Sequence, residues 1–484
     1  MELTFIGLIQ IAIGTLIVLV GSVRSAVIFL VVSALFDGSA AIALPELGGS
    51  SIPPVQFALL FTTLRIIAPR GGYLGYLPAA IAENKWIVFF AIYGVVAAYL
   101  APRMFGTSIE VFPMRPELGM GPFDTIPLVP SPQNLTAAFY LIGTLLLAIS
   151  SYIFCRMPQG GAALVAALLI ASWLHIATGV IDLATRGTAA EVILSIFRNG
   201  GYTPLDLSIS GFIRIRGVLP ETSSYAGLGF ALFVANAELW YRSIRSRTTG
   251  LAASALALLL VLSTASTAYV ALAAYVLFLV FRAMLFPGAA PRGKLLRATY
   301  LAAAIGFLIA LLMALVPRLP FAVYELVLDM TVAKPATDSG QQRLFWALQG
   351  WDTFLASYGL GIGPGSFRSS SMLTAILGSM GVVGAVTFVM YCKKVFAASR
   401  QSTWGEAASP LLSVSGALGT AALICLVPAA IASPHAVPPA LFSIMAGAAI
   451  ALRSEMVLPT RNEAMPRRPF RWPPERPSEE VPAE

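Results

Sequence analysis

Charge is scarce in this chain. Only 11% of its 484 residues are Asp, Glu, Lys or Arg, against roughly 25% in a soluble domain, and 57% are hydrophobic. Histidine and cysteine are scarcer still, at two and three residues. His175 and His435 stand far apart, and there is no Cys-x-x-Cys and no Asp-x-Asp, so no metal signature is present. Cys155, Cys392 and Cys425 fall at cytoplasmic span ends or within a span, which leaves no outer pair for a disulfide framework. No Gly-x-Ser-x-Gly motif marks a serine nucleophile. The run Gly359-Leu-Gly-Ile-Gly-Pro-Gly365 lacks the Lys-Ser/Thr ending of a nucleotide loop.

What is present is long apolar sequence. Mean hydropathy is +0.81, and about thirteen runs have the length and composition of transmembrane helices. They lie near 3–21, 25–45, 54–69, 86–102, 135–154, 162–181, 224–241, 250–264, 266–286, 298–316, 371–391, 410–431 and 436–452. The expected fold is all-α: a polytopic membrane bundle of about 12–13 spans with a large extracytoplasmic loop carrying amphipathic helices. The first run has no cleavage site behind it and reads as a retained helix. The bundle occupies 1–452, and 453–484 is a Pro-rich cytoplasmic tail too polar to fold by itself.

Basic residues set the expected orientation. Arg242, Arg245 and Arg247 share one short loop; Arg282, Arg292, Lys294 and Arg297 share another two spans later; Lys393, Lys394 and Arg400 share a third. All face the cytoplasm, together with Arg453 and the tail. The outer segments are then 103–134, 182–223, the turn 263–267 and the long loop 317–371. The formal charge of +8 consists mainly of these anchors, so it does not point to nucleic acid.

Chemistry is expected in the outer segments, because ionisable groups are costly in lipid. Before the seventh span the chain reads Phe212-Ile-Arg214-Ile-Arg216-Gly-Val-Leu-Pro-Glu221. Two arginines one residue apart point the same way on an extended backbone, and a guanidinium grips phosphate oxygens in a bidentate fork. Pro220 and Glu221 suit a helix start. Residues 341–354 place Leu344, Ala347, Leu348 and Trp351 on one helical face, as in an interfacial helix, with Arg343 elsewhere. Gly363 and Gly365 offer backbone that can approach a ligand closely. Arg368 precedes a helix start, where anions are favoured, and Asp352 is a further polar candidate. Asp37, Arg65, His175 and Asp182 lie within or at the end of apolar runs, where they either pair with one another or line a route.

This pattern resembles the O-antigen ligase and polymerase superfamily, integral-membrane enzymes that transfer glycans from a polyprenyl-diphosphate carrier. Three stretches carry the resemblance, over roughly residues 200–392. Arg216-Gly-Val-Leu-Pro-Glu221-Thr-Ser-Ser-Tyr-Ala226 looks like the family's arginine-to-glutamate segment before a span. Leu262-Ser-Thr-Ala-Ser-Thr-Ala268 is similar to its Ser-rich hairpin turn. Arg343, the glycine run, and Gly381-Val-Val-Gly384 look like its major outer loop and following helix. Ligases of the family carry a histidine after the glycine run; here Ser366-Phe-Arg-Ser-Ser-Ser371 has none, which favours a repeat-unit polymerase. Arg216 and Gly227 match the Arg-to-Gly spacing described for polymerases, whereas Phe354 stands at the corresponding place after Arg343.

The resemblance implies a metal-independent glycosyltransferase without cofactor, in the bacterial cytoplasmic membrane with its active site outside. Its partners would be a polyprenyl-diphosphate-linked glycan donor, a glycan acceptor, membrane lipids and a chain-length regulator protein. Arg216 and Arg343 would stabilise the leaving diphosphate, with Arg214, Arg368, Gly363, Gly365 and Asp352 as substrate contacts. Glu221 would be the general base, with Asp352 and Asp338 behind it. Two alternatives stay open: a ligase using another acceptor, and a transporter or flippase for a lipid-linked or anionic solute built on Asp37, Arg65 and His175. Against transport, no internal repeat with matched broken helices is evident.

Overall fold

The computed structural model describes the chain apart from residues 47–48, 69–71, 117–118, 190, 201–207, 210–211, 287–291, 316–337, 405–408 and 458–484. Most of the expected tail and the first third of the expected loop 317–371 therefore lie outside the described residues. In chain order the helices are α1 (Phe5–Val20), α2 (Val23–Ser33), α3 (Pro54–Ile67), α4 (Leu77–Glu83), α5 (Lys85–Met104), α6 (Pro132–Arg156), α7 (Gly160–Thr185), α8 (Glu191–Ser195) and α9 (Thr222–Tyr241). They continue with α10 (Ser246–Leu262), α11 (Ser266–Leu285), α12 (Arg292–Leu315), α13 (Asp338–Ala356), α14 (Met372–Trp404), α15 (Pro410–Ile424), α16 (Leu426–Ala432) and α17 (Ala440–Val457).

The protein is an all-α, polytopic membrane helix bundle. Among the described residues, six segments are long and apolar enough to cross a membrane: α5, α6, α7, α11, the Met372–Ala398 part of α14, and α15 with α16. Five shorter apolar helices of 10–17 residues accompany them among the described residues. Every apolar run in the sequence coincides with a helix, but two boundaries differ from expectation. The second run stops being helical at Phe36, and Ile42–Leu44 instead joins Glu2–Leu3 and Ser50–Ile52 in a small antiparallel sheet. The run 410–431 breaks at Cys425, because Pro428 has no N–H to offer the carbonyl of Ile424.

Small residues let the helices approach closely, the usual device where lipid supplies no hydrophobic drive between them. A Cβ on Gly447 of α17 would lie 2.2 Å from the Ala148 carbonyl of α6. Ser151 of α6 donates to the Ile444 carbonyl at 2.7 Å, and Ser415 of α15 to that of Ala449 at 2.7 Å. At the end of the bundle away from Pro220, Glu238 of α9 is fully buried and accepts from Arg242, from Arg282 at 2.8 Å and from Tyr275 at 2.8 Å. That cluster ties α9 to α11.

The glycine run serves the backbone of α14. This helix is broken at Gly381, whose φ of +58° departs from the helical range. Into the break fits the 359–365 loop: Ile362 N–H donates to Gly378 O at 2.8 Å, Gly363 N–H to Ser379 O at 2.9 Å, and Val382 N–H to Gly359 O at 2.9 Å. Gly359, Gly361, Gly363 and Gly365 all have φ between +78° and +93°. The loop satisfies groups that the kink would otherwise leave unpaired. A side chain has no room there, since a Cβ on Gly361 would sit 2.4 Å from Ser379 C and one on Gly365 2.3 Å from Gln133 O. Gly363 and Gly365 are thus packed against helix backbone. Gly361→Ala should lower stability by about 1–3 kcal/mol from the forced left-handed conformation alone. Thermal unfolding of the purified protein in detergent checks this, and an unchanged midpoint would count against the packing account.

Candidate functional site

The segment before α9 is shaped by one buried carboxylate. Asp182, at the end of α7 and 1% exposed, accepts from Arg186 at 2.6 Å, from Arg198 at 2.7 Å and from the backbone N–H of Arg216 at 2.9 Å. Arg198 also donates from Nε to the Gly217 carbonyl at 3.0 Å. Gly217, with φ of +56°, turns the chain, and Leu219 N–H closes the turn on Arg216 O at 2.9 Å. The turn delivers Pro220 and Glu221 to the head of α9.

The two arginines that the extended reading put on one side have different neighbours. Arg216 is 7% exposed and pairs with Glu191 of α8 at 2.9 Å. Arg214 lies near Arg343 and Glu221 instead. Burial, and then the positive charge of Arg343, push the Arg214 guanidinium below its usual value, while Glu221 acts in the opposite direction. Among the described residues neither Arg214 nor Arg343 has a carboxylate within ion-pair distance.

Arg343, Glu221 and Arg368 line one cavity of about 810 Å³, toward the upper end of the ~300–1,000 Å³ typical of small-molecule sites. Arg343 stands on α13, whose carbonyl at that residue accepts from Ser370 Oγ. Arg368 lies over the Trp346 ring at 4.6 Å, and its own N–H donates to Phe112 O at 3.0 Å. Ser369 N–H donates to Pro434 O at 3.0 Å and so brings the 433–439 turn, with His435, to the same rim. Asp37, just beyond α2, completes the polar lining. The deeper wall is apolar, with Leu147, Leu228, Ala231 and Leu441. From Glu221 to Ala231 the cavity follows α9 for about 15 Å, at about 1.5 Å per residue.

The helix expected over 341–354 forms, within α13, with an exposed apolar face. Leu344, Leu348 and Trp351 are 61%, 50% and 47% exposed, whereas Gln349 on the opposite face is 5% exposed and accepts from Phe112 N–H at 3.0 Å. Asp352 is exposed on α13 and does not line the cavity. The side chain of Asp338 lies outside the described residues. Of the three ionisable residues on which the transport alternative rests, His175 stacks on Tyr225 with ring centres 4.0 Å apart, and Arg65 lies over Tyr73 at 4.8 Å. Only Asp37 of the three reaches the cavity.

Two cavity residues were not assigned to a site from the sequence. His435 looked isolated in its Pro-rich turn, yet the hydrogen bond from Ser369 brings it beside Arg368. Burial pushes its imidazole below the ordinary histidine value, and among the described residues its Nδ1 has no hydrogen-bond partner. Asp37 was assigned to a span and, there, only to the route of the transport alternative; the early end of α2 opens it to this cavity.

The Asp182 cluster and the cavity should respond differently to mutation. Asp182→Asn leaves buried arginines uncompensated and should cost about 3–5 kcal/mol of stability. Arg216→Ala should likewise lower protein abundance, whereas Arg343→Ala should leave it unchanged. Quantitative blotting of membrane fractions and thermal unfolding check both, and a normally abundant Asp182→Asn protein would contradict the structural role. No protein-family model matches this chain, and no curated protein matches it.

Proposed function

We propose that this protein is a glycosyltransferase that joins oligosaccharide repeat units carried on polyprenyl diphosphate at the outer face of the bacterial cytoplasmic membrane. On this reading the chain has about 12–13 spans, with residues 317–371 as its large extracytoplasmic loop. The observation that carries the reading is a cluster of like charge at an amphipathic cavity. Arg214 and Arg343 repel one another beside the rim, Arg368 joins them, and an apolar wall descends about 15 Å, half of a ~30 Å hydrocarbon core. Such a site suits an amphiphile with an anionic head and a hydrocarbon tail. The helix ends that line it are opposite those bearing Arg242, Arg282, Lys393 and Arg453, which fits the extracytoplasmic side.

The chemistry follows from the charges. An acceptor hydroxyl oxygen bonds to the anomeric carbon of the donor, the bond from that carbon to the phosphate oxygen breaks, and lipid diphosphate leaves with the electron pair. Arg214, Arg343 and Arg368 take up the charge growing on the diphosphate. The acceptor proton passes to a carboxylate of the cavity, where Glu221 and Asp37 are both present. Extension of the saccharide out of the rim leaves room for chain growth.

A transporter would need ionisable groups along a route, and Asp37, Arg65 and His175 instead occupy three separate environments. In a deletion strain, Arg343→Ala should reduce polymer formation about 10²–10³-fold relative to wild type, with single repeat units accumulating on the carrier outside the membrane. Finished polymer stranded on the carrier would make the protein a ligase. Repeat units trapped inside would overturn glycosyl transfer in favour of flipping.

A further inference from the structure

Two carboxylates open into the cavity, and their surroundings differ. Glu221 accepts from Ser223 Oγ at 3.0 Å and feels the nearby Arg214. That carboxylate is already engaged by a hydroxyl of its own helix and stands beside a guanidinium. Asp37 has neither influence: among the described residues it has no ion pair and no side-chain hydrogen bond, and it is open to the cavity. Protein nevertheless surrounds it, and the loss of bulk water pushes its carboxyl above the ordinary aspartate range.

The backbone holds Asp37 firmly. A Cβ on the next residue, Gly38, would lie 2.4 Å from Pro220 Cδ and 3.2 Å from Leu219 Cα. The two chain segments therefore touch immediately before Glu221. Gly200 N–H donates to Gly38 O at 3.3 Å, Ser39 Oγ donates to Phe197 O, and Ala40 N–H donates to Asn199 Oδ1 at 2.8 Å. An otherwise unpartnered carboxylate on so fixed a base can meet a substrate hydroxyl without reorganising its neighbours.

We propose that Asp37, and not Glu221, accepts the proton of the attacking sugar hydroxyl, an assignment that rests on the glycosyl-transfer reading. As the oxygen–carbon bond forms and lipid diphosphate departs, the hydroxyl proton moves to an Asp37 carboxylate oxygen and is later released to water. Glu221 then serves to orient Arg214 and to bind acceptor hydroxyls. Pairs of carboxylates in contrasting surroundings divide such work in this way.

The test uses the full-length protein in lipid nanodiscs with a synthetic polyprenyl-diphosphate oligosaccharide as both donor and acceptor. Among the described residues the titratable and charged groups around the cavity are Asp37, Glu221 from α9, Arg343 from α13, Arg368, His435, Tyr140 from α6 and Cys425 between α15 and α16, with Arg214 beside Glu221 and Arg343. Removal of a general base should lower kcat about 10²–10⁴-fold. We expect that loss for Asp37→Asn, with donor Kd within about twofold, and disappearance of the acid limb of the kcat/KM profile. The sign follows from the chemistry: the base works ionised, so activity falls as pH drops through its pKa. Asp37→Glu should recover part of the rate, which a merely structural loss would not allow. Wild-type turnover and an unchanged pH profile in Asp37→Asn would overturn the assignment, as would loss of donor binding together with the rate. If the wild-type protein forms no product from a donor it binds, glycosyl transfer itself fails, and the assignment fails with it.

Discussion

One carboxylate holds the cavity's rim in place. Asp182 is buried at a helix end and would be costly there unpaired. It receives two guanidinium groups and the backbone N–H of Arg216, and these contacts settle where the chain turns and where α9 begins. The position of Glu221, the divergence of Arg214 from Arg216, and the contact of Pro220 with Gly38 all follow from that anchorage. Charge here does structural work on one side of a short segment and faces the cavity on the other.

The broken helix α14 supplies the second constraint. A helix interrupted in an apolar bundle must find partners for the amides and carbonyls it frees, and the 359–365 loop provides them. The loop's glycines are selected by the positive φ values and by the closeness of backbone. Arg343 and Arg368 stand on either side of this loop, on elements whose positions it fixes. Its influence on the cavity is therefore geometric.

Much of this was legible in the sequence. Run length and hydropathy located the apolar helices because each of those helices must satisfy its own backbone in lipid. The amphipathic face of α13 was legible through its period, with Leu344, Leu348 and Trp351 recurring on one side. Glu221, Arg343 and Arg368 come together at the cavity although 122 positions separate the first from Arg343. The direction of Arg216 was not legible. It depends on a turn at Gly217 and on a carboxylate 34 residues earlier in the chain, and neither leaves a local pattern. Asp37 was hidden because the apolar run continues past the end of its helix, and hydropathy does not distinguish a helix from a strand. His435 reaches the rim through a backbone hydrogen bond, which side-chain identity does not encode.

On the proposed reading, the exposed apolar face of α13 also links the cavity to its lipid surroundings. Leu344, Leu348 and Trp351 point away from the bundle, while Arg343 on the same helix faces the cavity. Where such a helix rests at the boundary between headgroups and acyl chains, its depth follows the thickness of the bilayer, and mismatch is relieved by tilting at a modest cost. The guanidinium moves with it. The spacing between Arg343 and the cation and carboxylate anchored by Asp182 is then a property of the lipid as well as of the protein, and acyl-chain length becomes a variable of the site.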